Sequence, residues 1–141
     1  MEAAHRRARR RPRARRGRAR RHDREDPHPA NYLLHKALVI ERRVRSDERD
    51  KDCAYWYEVA RTTHAMWPEM GMRVQELRAE YPAGWFRTAA DVLDRWFLKP
   101  RAEGPTLAAR VLEHQLGTDT RPDAVKRVVR RAVGALGLGR G

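Results

Sequence analysis

Residues 26–59 read DPHPANYLLHKALVIERRVRSDERDKDCAYWYEV, and this stretch decides the fold because a helical period appears in it twice. Pro29 suits a first helical position, where its fixed φ is already helical and its missing N–H would have no partner anyway. From Ala30 to Val44, Leu33, Ala37, Ile40 and Val44 fall on one stripe, widened by Leu34 and Leu38. This predicts a first helix over that run. Ser46 or Asp47 can cap a second, in which Cys53, Trp56, Tyr57, Ala60 and His64 recur at helical spacing, with acidic residues near its start. Only a few residues separate the two, so they are expected to be antiparallel neighbours.

The same period continues outward. Pro68 opens a third helix carrying Met70, Val74, Leu77 and Tyr81, closed by Pro82 and Gly84. A fourth, from about Trp85 to Leu98, places Phe86, Ala89, Ala90, Leu93 and Phe97 on one side before Pro100. Gly104-Pro105 starts a fifth with Leu107, Val111 and Leu112, and Gly117 is its end signal. After Thr120 a sixth carries Val125, Val128, Val129, Ala132 and Leu136. No segment alternates with period two over the length of a strand. The prediction is an all-α fold of five to six short helices spanning residues 27–137.

Before it, residues 1–26 form a leader of different composition. Residues 1–24 hold 12 arginines against Glu2 and Asp23, a net +10 out of the formal +13 of the whole chain. With no apolar face and strong self-repulsion, the leader is expected to be disordered. The remainder carries a surplus of 3, ordinary for a globular domain. Arginine outnumbers lysine 28 to 4, which fits a GC-rich coding sequence better than selection for a phosphate-binding tail, since either cation serves phosphate. The single cysteine, Cys53, excludes an internal disulfide, a Cys-based zinc site and a redox pair, and points to the cytoplasm. No apolar run approaches the roughly 18 residues needed to span a bilayer. No membrane partner is expected.

Chemistry concentrates in the first two predicted helices. On a helical wheel with Leu33 at zero and ~100° per residue, Lys36 falls near ~300° and Arg43 near ~280°, beside the apolar stripe, whereas Arg42 near ~180° points to water. Two cations so placed can reach one phosphate while their stems pack on apolar neighbours. Lysine and arginine also border helix stripes without any ligand, and spacing by itself leaves that reading open.

The pattern of Pro29, Tyr32, Leu34, His35, Lys36, Leu38, Arg42 or Arg43, then Lys51 and Asp52 at the second helix, resembles the C-terminal helical part of bacterial nucleotidyltransferase-fold proteins of the abortive-infection toxin type and related uncharacterised transferases. The match covers about 60 residues, including Pro82-Ala83-Gly84-Trp85, and departs at Tyr55 and Trp56. The resemblance implies that Lys36, Arg43 and Lys51 neutralise nucleotide phosphates and that Asp52 orients a basic neighbour or acts from the helix start. It also implies Mg2+ and a nucleoside triphosphate, but only together with a lobe bearing a Gly-Ser loop and paired aspartates on a strand. Upstream of Asp26 neither motif occurs, so no catalytic residue and no metal ligand is assigned, and nucleotidyl transfer by the chain alone is not expected.

The alternative is a small basic helical nucleic-acid-binding protein. In that reading the leader holds nucleic acid non-specifically, without aromatic residues for base stacking, and the last helix adds Arg121, Lys126, Arg127, Arg130 and Arg131. A third reading is association with another chain through exposed apolar surface. Elsewhere the bland account is preferred. Asp91 and Asp94 are expected to pair with Arg87 and Arg95, His35 and His64 to be packed, and Trp56, Trp67, Trp85 and Trp96 to form the hydrophobic centre.

Overall fold

The computed structural model describes residues 28–140; the leader predicted as disordered lies outside them. Among the described residues six α-helices and no strand are found: α1 (Pro29–Val39), α2 (Ser46–Thr62), α3 (Trp67–Glu80), α4 (Ala83–Leu93), α5 (Gly104–Leu116) and α6 (Pro122–Leu136). Short turns of tighter or wider pitch join some of them, at Ile40–Arg42, His64–Met66 and Asp94–Leu98. The all-α expectation holds.

The helix ends follow local chemistry. His28 caps α1 by accepting the Ala30 N–H on Nδ1 at 3.1 Å, and Pro29 occupies the first turn. Gly117 (φ 66°) and Gly137 (φ 72°) end α5 and α6 in the left-handed region, where glycine avoids the Cβ clash. At the second of these, Gly137 N–H bonds to Gly134 C=O at 3.3 Å and Leu138 N–H to Val133 C=O at 3.0 Å, while the Leu138 side chain is buried.

Three boundaries differ from the sequence reading, each for a local reason. The first helix stops at Val39, tightens into a 3-10 turn and leaves Arg43 extended (φ −69°, ψ 127°), which carries Val44 out of the stripe to 98% exposure. Neither Ser46 nor Asp47 caps α2: its N-cap is Arg45, and no side chain bonds to that end, although Asp47 and Glu48 lie in the first turn. The fourth helix widens into a π-turn after Leu93, which puts Phe97 in the core and Trp96 at the surface.

Helix α2 is the central element, packing along α5 and also touching α1 and α6. Helix α1 lies on α4, and α3 on α6. Trp56 of α2 is fully buried against Phe97 (ring centroids 5.9 Å apart) and donates its indole N–H to the Leu33 carbonyl at 3.0 Å, tying α1 to α2. Leu33, Leu34, Ile40, Met70, Leu77 and Leu93 complete the densest part of the core. Of the four tryptophans only Trp56 and Trp67 are buried; Trp85 is exposed and Trp96 half-buried. His35 and His64 are solvent-exposed but lie against aromatic rings, His64 on Trp67 (centroids 4.6 Å apart) and His35 beside Tyr81 and Trp85.

Candidate functional site

Lys36, Arg43 and Asp52 converge. Asp52 stands on the second turn of α2, one turn before Trp56 and on the same face, so its carboxylate is carried into the seam with α1 and left only 3% exposed. Lys36 Nζ donates to Oδ1 at 2.8 Å, Arg43 Nε to Oδ2 at 2.7 Å, and Arg43 Nη2 reaches Oδ1 at 3.5 Å. Arg43 arrives because the 3-10 turn and the extended residue after it swing the chain back toward α2. The two cations do meet at one anion, but that anion is the chain's own carboxylate, and Arg43 reaches it from an extended residue rather than from a helical wheel position.

Burial distinguishes this cluster from ordinary surface pairing. The Asp52 side chain is 4% exposed, whereas Lys36 and Arg43 are 20% and 35% exposed, so the anion is inside and the cations look outward. One negative charge against two positive leaves a net positive edge. Lys36 has three N–H donors and Arg43 five, and Asp52 takes only some of them. Tyr32 lies beside the cluster, with Lys36 Nζ 5.7 Å from its ring centre. Burial chiefly, and the nearby charge of Asp52, push the Tyr32 phenol above its ordinary value. The hydrogen bond and charge of Asp52 raise the Arg43 guanidinium further, so it is permanently cationic.

Lys51 goes elsewhere. It lines a cleft of about 330 Å³ between α2 and α5, with Asp47, Asp50, Arg110 and His114, and does not join Lys36 and Arg43. Arg42 is exposed, as its wheel position requires. The Mg2+ that the resemblance implies does not fit these residues. Asp50-Lys51-Asp52 has the Asp-x-Asp spelling, but on a helix residues two apart do not face each other, and both Asp52 oxygens are already bonded to cations. Among the described residues no group of three or more His, Cys, Asp or Glu converges to hold a metal ion.

A second cluster was not legible in the sequence. Glu41, in the 3-10 turn, receives the Arg95 guanidinium and the Trp96 indole N–H, the latter at 3.0 Å. Its partners lie more than fifty residues away on a π-turn that no periodicity announces. The Arg95 hydrogen bond holds the Glu41 carboxyl below its ordinary value. Arg49 stacks over Trp96, its guanidinium carbon 4.9 Å from the ring centre. Asp91 and Asp94 do form ion pairs, but with Arg140, at 2.9 and 3.5 Å, rather than with Arg87 and Arg95.

No family model, curated protein or solved structure matches the chain. Among the described residues no helix is long and apolar enough to cross a membrane. The larger exposed apolar residues, Val44, Met72 and Leu116 among them, sit on different elements.

Proposed function

We propose that the chain is the helical, substrate-side part of a nucleotidyltransferase-like protein, in which the α1–α2 edge receives a nucleotide phosphate on Lys36 and Arg43. One observation carries this reading: a buried carboxylate holds two outward-looking cations in fixed relative position while leaving N–H donors on both unspent. Phosphate recognition favours such donors held in place, because less side-chain freedom is lost on binding. Asp52 then acts by positioning. It sets where the cations stand and limits the edge to one net positive charge.

Lys51, on the α2–α5 cleft, would meet a different part of a ligand or none. The sequence holds no Gly-Ser, and among the described residues no group of three or more His, Cys, Asp or Glu converges, so in this reading the chemistry of transfer, with its Mg2+ and nucleoside triphosphate, would be supplied by a separate lobe. A reducing compartment such as the cytoplasm suits Cys53, whose thiol is buried and pushed up to about 12, too high for reactivity.

The test is site-resolved. Inorganic pyrophosphate is titrated into the full chain while the side-chain resonances of Lys36 Nζ and Arg43 Nε are followed by NMR. Both are expected to shift and saturate, and Lys36→Gln to weaken the effect at Arg43 by about tenfold. Shifts confined to the leader arginines, with Lys36 and Arg43 unmoved, would show that the edge is only a structural latch.

In the alternative reading, a basic nucleic-acid-binding protein, α6 would offer only part of its cationic face. Arg121, Arg127 and Arg131 are exposed, but Lys126 donates to the Lys99 carbonyl at 3.2 Å and Arg130 to the Leu98 carbonyl at 3.5 Å, so two of the five cations are bonded to the turn before α5. Binding to duplex DNA is therefore expected to depend on the leader and to weaken steeply with salt.

A further inference from the structure

A groove of about 720 Å³, open to solvent, runs between α4 and the end of α6. Its floor is apolar and made mostly of small residues: Ala83, Phe86, Ala90, Val133 and Gly134. Its rim is cationic, with Arg78, Arg87 and Arg140 against the single acid Asp91. Arg78 sits over the Phe86 ring, its guanidinium carbon 4.6 Å from the ring centre, and donates to the Gly137 carbonyl at 2.6 Å. Arg140 is held by Asp91 and Asp94. Arg87 forms no ion pair among the described residues and is exposed.

Gly134 supplies an independent observation. Two other glycines are explained by this chain's own packing: a Cβ at Gly71 would stand 2.9 Å from the Ala135 carbonyl oxygen, and one at Gly104 2.1 Å from that of Trp96. At Gly134 a Cβ would meet nothing within 4 Å, and the residue's φ is not positive. Glycine is among the poorest residues for a helix interior, so the fold gains nothing from it there. A glycine that the chain itself does not need, facing an open groove, leaves its backbone bare for close approach by something else.

We propose that this groove docks an acidic amphipathic segment of a partner polypeptide, with apolar side chains over the exposed Ala83 and Gly134 and carboxylates against Arg87 and Arg78. Charge complementarity selects the occupant: Arg140 is met by Asp91 and Asp94, but Arg78 and Arg87 form no ion pair among the described residues, so the rim keeps a positive surplus that favours an acidic segment over a basic one. The division into apolar floor and cationic rim suits a chain with two faces. A small anion would leave the floor uncovered and use the rim alone.

The probe is a short fluorescein-labelled peptide of alternating leucine and glutamate, mixed with the full chain; a control peptide carries glutamine for glutamate. The leader binds the acidic probe in every variant, so the groove is read by difference and by NMR signals of Phe86 and Val133. Arg87→Glu and Gly134→Gln are expected to weaken the groove component by about tenfold each while leaving Tm unchanged or, for Gly134→Gln, raised. The control peptide should leave Phe86 and Val133 unmoved. If neither variant changes binding, or the probe shifts only leader signals, the groove is not a docking site. If inorganic pyrophosphate moves Phe86 and Val133 and the peptide does not, it is a small-anion site and the proposal is overturned.

Discussion

The short stretch from Lys36 to Arg43 is anchored twice, and the two anchors are opposites. Asp52 gathers Lys36 and Arg43 with its carboxylate buried beneath them; Glu41 gathers Arg95 and Trp96 with its carboxylate at the surface, 35% exposed. Both carboxylates accept from two residues, and both tie the end of α1 to a neighbour. The difference is where water can reach. An exposed pair is screened and contributes roughly 0–1 kcal/mol, whereas a carboxylate taken out of water depends on its partners to offset its desolvation. The Glu41 cluster is therefore a clasp, easily done without. The Asp52 cluster is a committed piece of geometry, and that is why it can serve as a positioned edge.

The comparison breaks most completely if its shared foundation is removed. Trp56 lies one turn beyond Asp52, fully buried, and its indole N–H holds the Leu33 carbonyl. Trp56→Ala is expected to cost about 3–5 kcal/mol through lost burial and an unfilled cavity, and to loosen the α1–α2 seam on which the ion cluster depends. Urea unfolding checks the size. Loss of the slow-exchanging amides of α1 checks the location.

Next in size is the buried carboxylate. Asp52→Ala is expected to cost about 1–3 kcal/mol, less than the fully buried case because both cations can turn to water. The sharper variant is Asp52→Leu, which replaces the charge by apolar bulk. If stability returns to within about 1 kcal/mol of the parent, the carboxylate is not needed for folding, and its retention favours the positioning role. The pyrophosphate response of Lys36 and Arg43 should then become two independent, weaker ones.

How far the sequence reveals this arrangement depends on the range over which each feature is encoded. The helices are legible because 3.6-residue periodicity and the Pro29 and Gly117 signals are local. A helical wheel puts Lys36 and Arg43 side by side, but Arg43 lies beyond the helix, so the agreement does not come from helical geometry. That their common anion is Asp52 is not legible, because it depends on the chain leaving α-helical pitch after Val39, a change of backbone that the apolar stripe running on to Val44 conceals. The same limit hides the contacts of Arg95 and Trp96: periodicity places Phe97 correctly in the core, but nothing local announces that these two residues meet Glu41 more than fifty residues away. The resemblance groups Lys51 with the site, yet it stands ~100° of rotation from Asp52 on the same helix, enough to put it on the cleft with α5.

The smallest expected effect is at the exposed anchor, and its sign is fixed by titration. Arg95 holds the folded Glu41 carboxyl below its ordinary value of 4.5, so the unfolded chain binds the proton more readily than the folded one. The stabilisation is thus fully present above that ordinary value and is lost as pH falls through the lower folded value. Glu41→Gln should cost less than about 1 kcal/mol at neutral pH. Measured by paired urea midpoints, the gap between parent and variant should close as pH falls below 4.5, and should also shrink in high salt. The salt response is where the two anchors part. Screening reaches the open Glu41–Arg95 pair, but the Asp52 side chain is 4% exposed, so an Asp52→Ala deficit should hardly change over the same salt range. If both deficits fell together, Asp52 would be as wet as Glu41, and the distinction between clasp and positioned edge would disappear.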